Sequence, residues 1–510
     1  MSDWRPADPR KPSGPDWDSS DDDEFSASRE QHRSQVASVL TQLPRAAPED
    51  DDADTAPSVQ STALTTYSSS GLDGLYESSG YTSNGSSSYA SSSGYSRPRK
   101  VFTGLSNQGA TCYMNSLLQS MFMTPEFRQG LYNWTCHRAA KKADDEEEEE
   151  ADEDNIPLQL QNLFAKLQLT TQDSISTKAL TKSFGWTGAD VFQQHDVQEL
   201  CRVLLDALER SFKGTVNETL VNDLYQGSLK DYVQCCECGY ESSRIDNFLD
   251  LSLVIRPFGS TEMMKTVEEA IELFLRPEVL NKENQWMCDR CKVKRDAIKG
   301  LKFSKLPYIL MLQLKRFDFD YATMSRIKLH NKVTFPKYLD MNSYVSDENG
   351  GVRGKIARKM SMERHVLEDD EKSDNDDDEE DEGEEAAAFD TWSSTFDPEV
   401  MIKRSGPHVY ELYSVLIHSG SALGGHYYAY IKSLDTGKWY NFNDSNVSEI
   451  SDTELQTAFG GASGSGYSMR YSTCAYMLLY RLVNADKNVN VILPESIPQY
   501  LKDKIRADED

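Results

Sequence analysis

Apolar residues recur every three or four positions in three segments between residues 112 and 212, a spacing typical of helices that bury one face. The clearest segment is Asp196–Phe212, and the other two are Cys112–Met123 and Pro157–Leu169. The helix that starts at Cys112 should end before Pro125. After Leu220 the pattern changes to short apolar or alternating runs, which predict β-strands.

The strand-like segments fill most of the second half of the chain. They are Gly227–Val233, Phe248–Ile255, Leu306–Phe317, Tyr410–His418, His426–Lys432, Lys438–Phe442 and Ala475–Leu482. We expect the later ones to form an antiparallel sheet. Helices that come first and strands that follow indicate an α+β fold, in which a helical subdomain packs on a sheet subdomain.

Polar segments interrupt this pattern at three places. Residues 1–98 are rich in Ser, Asp, Gly and Pro and should form a disordered N-terminal tail, because they cannot bury enough apolar surface to offset chain entropy. Acidic runs within 143–154 and 346–407 are interpreted as surface insertions, since blocks of like charge repel each other. We therefore expect one catalytic domain over 99–483 and a C-terminal tail over 484–510.

Composition excludes several classes of protein. The formal net charge is −29, which argues against nucleic-acid binding because that function needs a basic surface. The charge is compatible with a protein partner that presents basic side chains. No apolar run is long enough for a signal peptide or a membrane span. Nine cysteines are too few for a disulfide scaffold, so we expect a cytoplasmic protein, with the nucleus as a second location.

One cysteine lies in a setting that favours nucleophilic chemistry. The glycine-containing segment Gly104–Thr111 leads into Cys112 at the start of an apolar helix, where free amides and the positive helix end favour a thiolate. A thiolate is the form that attacks a carbonyl. The side-chain amide of Asn107 can stabilise the oxyanion that results, an effect of about 3 kcal/mol. A lone Cys112 would be interpreted as a small core residue, but the surrounding pattern favours the nucleophile.

A histidine segment supplies the matching base. Gly424 and Gly425 precede His426, and the two glycines leave the backbone uncovered, so a ligand chain can pass close by. Asn443 and Asp444 end a nearby strand, and either can orient the imidazole if the two strands are neighbours. The cysteine, the histidine and one of these polar residues would then form a triad, with the choice between Asn443 and Asp444 left open.

Two cysteine pairs have the spacing of metal ligands. Cys235 and Cys238 form one CxxC motif, and Cys288 and Cys291 form a second. Four thiolates in two close pairs make a tetrahedral structural zinc site. The alternative is four reduced thiols without a metal. A zinc ribbon that binds nucleic acid is disfavoured by the acidic charge, and no organic cofactor is expected.

Several motifs in a fixed order resemble those of the ubiquitin-specific proteases over roughly residues 101–483. Gly104–Asn115 resembles the Cys box, Gln193–Leu200 the QD-type box, Leu312–Phe317 a strand motif, and His418–Asp444 with Ala475–Tyr480 the His box. The resemblance is closest to the branch that contains ubiquitin-specific proteases seven and forty-seven, and within that branch to the forty-seven type. It implies a papain-like cysteine protease with thumb, palm and fingers subdomains, and a zinc ribbon at the tip of the fingers.

The resemblance also implies how a substrate binds. The thumb would hold Cys112 and the Asp196 helix, the palm would hold His426, and the ubiquitin tail would run between them. Acidic residues of the QD-type box line the tail pocket in this family, which implies Asp196 and then Glu199, because carboxylates pair with the arginines of the tail. The alternative is an acidic pair that only offsets the helix dipole. The loop that ends at Gly424 and Gly425 resembles one that flanks the cleft and moves when ubiquitin binds.

The function implied is that of a thiol-dependent deubiquitinase, which cleaves the isopeptide or peptide bond after the C-terminal glycine of ubiquitin. Its partners would be ubiquitin and ubiquitinated proteins, without nucleic acid or membrane, and its catalytic domain would be monomeric. Two alternatives stay open. One is a catalytically silent ubiquitin-binding module on the same fold, and the other is a protease for a ubiquitin-like modifier.

Overall fold

The computed structural model describes residues 102–135, 154–186, 188, 190–345, 390–393, 395–461 and 473–509. The expected N-terminal tail, nearly all of the acidic insertion at 143–154 and most of the insertion at 346–407 therefore lie outside the described residues. The expectations for those segments stay predictions.

Most helices lie in the first half of the described chain. They are α1 Cys112–Phe122, α2 Pro125–Asn133, α3 Ile156–Leu169, α4 Lys178–Ser183, α5 Val197–Phe212, α6 Leu220–Tyr225, α7 Val267–Leu275, α8 Pro398–Ser405, α9 Asp452–Leu455 and α10 Gln499–Glu509. The three helices predicted from apolar spacing are α1, α3 and α5, each within one residue of its predicted ends. Asp196 is the N-cap of α5, and its carboxylate accepts a hydrogen bond from the Gln198 amide at 2.8 Å.

The strands follow from position 227 onward, after a short pair near the start. They are β1 Gly104–Leu105, β2 Ser174–Ile175, β3 Gly227–Cys235, β4 Glu241–Phe248, β5 Leu251–Leu253, β6 Glu278–Leu280, β7 Trp286–Met287, β8 Lys294–Arg295, β9 Ala297–Lys305, β10 Ile309–Leu314, β11 Phe317–Asp320, β12 Ser325–Lys328, β13 Tyr338–Asp340, β14 Val409–Ser421, β15 Gly424–Lys432, β16 Trp439–Asn443, β17 Asn446–Ile450 and β18 Thr473–Leu482.

The largest sheet has the order β17-β16-β15-β14-β18-β10-β5, and β13 pairs with β14. Its neighbours are antiparallel except β10 and β5, which run parallel. Both faces of its centre are covered. Leu479 of β18 belongs to the apolar cluster on the helical side, whereas Leu478 and Tyr480 belong to the cluster on the other side. A strand buried on both faces reads as a continuous apolar run, which is why β18 was easy to predict.

A second sheet has the order β4-β3-β9-β6, and Cys235 ends its strand β3. The second cysteine pair, Cys288 and Cys291, lies between β7 and β8, which form a separate hairpin. The six exposed positions of β4 give no apolar alternation, so the sequence pattern missed this strand. The α+β architecture, with helices packed on antiparallel sheets, agrees with the prediction.

Two predicted strands are each divided in the structure. The sequence predicts one strand over Phe248–Ile255, but in the structure Phe248 ends β4 and β5 begins at Leu251. The break between them holds Asp250, whose buried carboxylate binds Arg202 of the helix α5. The segment Leu306–Phe317 also divides. The Arg316 amide donates to the Leu314 carbonyl at 2.7 Å, which turns the chain out of β10 before β11.

The segment expected as a C-terminal tail contains a packed helix. Leu501 and Ile505 of α10 are buried in the apolar cluster on the helical side, together with Ile492 and Ile497 of the preceding loop. The described part of the expected insertion at 346–407 is also anchored, since the Trp392 indole donates to the Phe335 carbonyl at 3.1 Å. Across the described residues, every helix is too short or too polar to cross a membrane.

Candidate active site

The helix α1 places Cys112 at the centre of the molecule. Every residue from Cys112 to Phe122 is buried, because α1 packs against the β15 strand on one side and against the helices α2 and α5 on the others. Cys112 itself is 3% exposed. Its backbone amide lies in the first turn of the helix, where amides have no intrahelical acceptor and are available to an anion.

Three groups surround the sulfur. The backbone amide of Tyr427 donates to Sγ at 3.4 Å, and the side-chain amide of Gln194 points at it from 3.6 Å. The third group is His426. Its interaction with Cys112 is the largest cause that raises the pKa of His426 to about 9; the bond to Asn443 raises it further, whereas burial lowers it. The cysteine and the histidine, more than three hundred positions apart in the sequence, therefore meet in the structure.

The register of the strands positions the imidazole. Ala429 of β15 pairs with Phe442 of β16, so the next residue of β16, Asn443, lies beside the part of β15 that carries His426. The imidazole Nε2 lies 2.7 Å from the Asn443 Oδ1. This contact leaves the other ring nitrogen of His426 for the sulfur, which is the geometry of a nucleophile, a base and an orienting group.

Asp444 has a different environment from Asn443. Its nearest carboxylate oxygen lies 4.0 Å from the His426 Nε2. The same carboxylate accepts hydrogen bonds from Asn115 at 2.8 Å and from Asn107 at 3.0 Å, and the Asp444 carbonyl accepts from the Leu105 amide at 2.9 Å. Asp444 also has a positive φ of 49°, an uncommon conformation outside glycine. The residue thus connects the end of β16 to the segment that precedes Cys112.

Asn107 is fixed by both ends of its side-chain amide. Its Oδ1 accepts from the amides of Gly109 at 2.9 Å and Thr111 at 3.2 Å, and its Nδ2 donates to Asp444. An amide nitrogen carries two N–H donors, so one donor remains beside the first turn of α1. Asp444 holds this donor in place, a role that the sequence motifs did not indicate.

The two acidic residues of the α5 helix differ in how they are used. Asp196 is engaged on both oxygens, by the Gln198 amide and by the Tyr476 hydroxyl at 2.5 Å. Within the described part of the chain, the Glu199 carboxylate has no hydrogen bond or ion pair, although the charge of Arg202 acts on it. Burial and the neighbouring Asp196 raise the pKa of Glu199. The capping alternative therefore describes Asp196 well, whereas Glu199 is the acid left for a cationic ligand.

The two glycines stand in the hairpin of β14 and β15. Ser421 pairs with Gly424, and Gly420 pairs with Gly425. A Cβ atom at Gly425 would lie 2.3 Å from the Ser419 carbonyl, whereas one at Gly424 would meet nothing within 4 Å. Only the second glycine is therefore required by packing within the hairpin.

A buried cation supports this hairpin from below. Lys328 is 7% exposed, and its ammonium donates to the carbonyls of His418 at 2.9 Å and Gly420 at 3.2 Å. Burial lowers the pKa of Lys328. Burial also lowers the pKa of His418 to about 3, with Lys328 as the next cause, so this second histidine stays neutral. Sequence reasoning missed Lys328, because its partners are backbone carbonyls and leave no trace in residue type.

Gln194 is the other residue that sequence reasoning missed. Its Nε2 donates to the Gly425 carbonyl at 2.8 Å, and its Oε1 accepts from the Gly425 amide at 3.2 Å. The residue lies inside the QD-type box, whose acidic positions are the ones predicted to bind the substrate tail. Its polar side chain beside an acidic helix start was the one signal that could have singled it out.

The four cysteines of the CxxC motifs meet at the end of the second sheet. Their sulfur atoms all lie within 4.8 Å of one another, and two of the four residues are buried (Cys235, Cys238, Cys288 and Cys291). Tetrahedral zinc with four sulfurs at about 2.3 Å would hold these atoms about 3.8 Å apart. The exposed Cys236 lies outside the cluster. The cluster could thus hold a metal ion.

The turns of the two motifs are alike. The Cys235 carbonyl accepts from the Gly239 amide at 3.0 Å, and the Cys288 carbonyl accepts from the Lys292 amide at 2.8 Å. Gly239 and Lys292 both have positive φ, 69° and 57°. Each turn directs its two sulfurs to the same side, which fits the donor set to a four-sulfur metal site.

Comparisons with known proteins agree with this geometry. Residues 103–480 match the family model described as ubiquitin carboxyl-terminal hydrolase. The chain is 44% identical to ubiquitin carboxyl-terminal hydrolase 47 of Homo sapiens, over 83% of this chain and 31% of that protein. The same-named protein of Drosophila melanogaster is 44% identical, over 79% of this chain and 26% of that protein. Ubiquitin carboxyl-terminal hydrolase 15 of Saccharomyces cerevisiae is 32% identical, over 80% and 29%.

These identities confirm the resemblance drawn from the motifs, including the forty-seven type that the motifs favour within their branch. The chain spans about a third of the length of the curated relatives it matches.

Proposed function

Because the chain belongs to the ubiquitin carboxyl-terminal hydrolase family, we propose that it is a thiol-dependent deubiquitinase that cleaves the isopeptide or peptide bond after the C-terminal glycine of ubiquitin. The observation that carries this proposal is the contact of Cys112 with His426, whose imidazole lies 2.7 Å from Asn443. Binding of ubiquitin without catalysis would not require this arrangement of three side chains.

In the first step, His426 takes the thiol proton of Cys112, and the thiolate attacks the carbonyl of the terminal glycine. The raised pKa of His426, about 9, supports a stable imidazolium beside the sulfur. Asn443 orients the ring by accepting from Nε2. The structure thus favours Asn443 as the third member of the triad, with Asp444 in a supporting role.

The attack places negative charge on the carbonyl oxygen. The free N–H of Asn107 and the backbone amides at the start of α1 stabilise that charge. Asp444 holds the Asn107 amide in place through the 3.0 Å hydrogen bond. The intermediate then collapses, His426 protonates the leaving lysine amine, and a thioester remains. Water hydrolyses the thioester with the same histidine as base.

The acidic side of the cleft supports recognition of the ubiquitin tail. Glu199 has an unengaged carboxylate and is the preferred partner for an arginine of the tail. Asp196 contributes its charge while it caps α5. Gly424 and Gly425 leave room for the extended main chain on the palm side.

We also propose a structural zinc ion in the four-cysteine cluster of the fingers. The proximity of the four sulfurs supports this, and such an ion would fix the end of the β4-β3-β9-β6 sheet at a distance from the chemistry. Metal analysis of the purified chain should give one zinc per molecule, and loss of that zinc in Cys238→Ser and Cys291→Ser. Full zinc content in both variants would remove this assignment.

The proposal includes ubiquitin and ubiquitinated proteins as partners, without nucleic acid or membrane, and a monomeric catalytic domain. A cytoplasmic location, with the nucleus as a second one, belongs to the same proposal. The net charge of −29 supports it, because it disfavours contact with phosphate backbones.

A ubiquitin probe with a thiol-reactive C-terminus tests the function directly. We expect covalent labelling of the native chain and no labelling of Cys112→Ala. A parallel probe built on a ubiquitin-like modifier separates the two kinds of protease. Labelling that persists in Cys112→Ala would move the nucleophile elsewhere, and labelling by the modifier probe alone would favour the modifier protease.

A further inference from the structure

Gln194 joins the two walls of the cleft across the entrance to Cys112. From the thumb, just before α5, its carboxamide forms two hydrogen bonds with one residue of the palm hairpin, Gly425, at 2.8 Å and 3.2 Å. The same Nε2 lies 3.6 Å from the sulfur of Cys112. One side chain therefore covers the nucleophile and closes the gap between the walls.

The groups that Gln194 occupies are those of a free strand edge. The pairing of β15 with β16 starts at Ala429, and toward the hairpin tip no other described strand pairs with this edge of β15. On it, the Gly425 amide and carbonyl meet Gln194, and the Tyr427 amide meets the sulfur of Cys112. An exposed strand edge of this kind binds an extended peptide by adding it as a further strand.

A carboxamide offers the same N–H donor and C=O acceptor as a peptide group. The Gln194 side chain thus imitates one residue of such an added strand. An incoming main chain that pairs with Gly425 needs both groups that Gln194 holds, so the two cannot be bound at once.

We propose that Gln194 is a gate, which closes the cleft in the free protein and is displaced by the extended main chain of the substrate tail. The ligand class is a peptide chain without bulky side chains at the positions next to the scissile bond, because the gap spans only one carboxamide. The physiological ligand of the gate rests on the proposed function, whereas the closed contact of Gln194 with Gly425 does not. The gate makes access to Cys112 depend on a chain that can replace these two hydrogen bonds.

The first measurement is the rate at which iodoacetamide alkylates Cys112, followed by mass spectrometry of its peptide. In Gln194→Ala we expect a rate roughly five- to tenfold higher than in the native chain, the effect of removing two modest hydrogen bonds. The matched control is Gln193→Ala, since Gln193 is the exposed neighbour and should leave the rate unchanged. Gln194→Asn, whose amide is one methylene shorter, should resemble Gln194→Ala and replaces it should that variant fail to fold. An unchanged or lower rate in both Gln194 variants overturns the gate.

The second measurement separates a gate from a catalytic donor. With a fluorogenic ubiquitin substrate, Gln194→Ala should lower KM and leave kcat within about twofold, because the closed state competes only with binding. A loss of kcat of about 10²–10³ with unchanged KM would instead make Gln194 an oxyanion donor and overturn the gate. If the native chain fails to hydrolyse ubiquitin at all, the proposed function fails, while the alkylation rates still decide whether the closed contact exists.

Discussion

The thumb wall of the cleft is a fully buried helix start, whereas the palm wall is a hairpin whose tip exposes Gly424 and Gly425. On the thumb side, Asn107 is fixed by hydrogen bonds to Gly109, Thr111 and Asp444. On the palm side, the hairpin depends on one buried cation below it and on Gln194 across the gap. The comparison indicates a rigid nucleophile that faces an adjustable wall.

This division has a physical reason. A nucleophile and an oxyanion donor act only if they are held in place before the reaction, because reorganisation would cost the stabilisation they provide. A wall that admits a protein tail must instead open and close, and such segments come from the less stable parts of a fold. The two walls should therefore respond differently to substitution.

The largest effect is expected on the rigid wall. Asn107→Ala should lower kcat by about 10²–10³ with little change in KM, because its amide contributes to the transition state and not to binding. Steady-state kinetics with a fluorogenic ubiquitin substrate measure both constants. Asn107→Asp should do no better, since a carboxylate cannot donate and would face Asp444. A rise in KM with kcat unchanged would contradict the assignment.

A smaller effect is expected below the adjustable wall. Lys328→Met should lower kcat roughly tenfold. The carbonyls of His418 and Gly420 in β14 lose their donor. Because β14 pairs with β15, His426 in β15 should shift as well. The control is Arg326→Met, an exposed position of the same strand. Titration with the ubiquitin probe gives the fraction of active molecules, by which kcat is corrected. If the loss of kcat disappears after this correction, Lys328 has a purely structural role.

The smallest effect is expected on the pH dependence of activity, as a shift of the basic limb of the pH–activity profile. Because the pKa of His426 is raised from 6.5 to about 9, its proton is kept through neutral pH and lost as the pH rises through 9. Activity should therefore decline on the basic side near pH 9. Asn443→Ala removes one cause of the raised pKa, so its basic limb should lie below 9. A limb that stays in place in Asn443→Ala would argue against the bond to His426.

The same proton has a consequence for folding. A pKa raised in the folded state stabilises the fold fully below pH 6.5, and this contribution fades as the pH approaches 9. The free energy of unfolding of the native chain should therefore fall relative to that of His426→Ala as the pH rises from 6.5 to 9.

Sequence reasoning succeeded where the chemistry is local. The apolar periodicity of α5 predicts a helix because one face is buried at helical spacing, and the continuous apolar run of β18 predicts a strand that is buried on both faces. Cys112, His426 and the CxxC motifs could be singled out because residue type and short spacing mark them. It failed where a strand has no apolar face, as in β4, or where one residue divides a run, through the backbone amide of Arg316 or the carboxylate of Asp250.

The sequence by itself singled out the residues that we propose to carry the chemistry: a cysteine at a helix start, a histidine after two glycines, and four thiols in two pairs. Only the tertiary structure distinguishes Asn443 from Asp444, because it places one 2.7 Å and the other 4.0 Å from the imidazole Nε2; we therefore propose Asn443 as the orienting residue. It also decided the parts played by Lys328 and Gln194. Their partners are backbone groups of residues far away in the chain, and backbone groups are the same for every sequence until the fold brings them together.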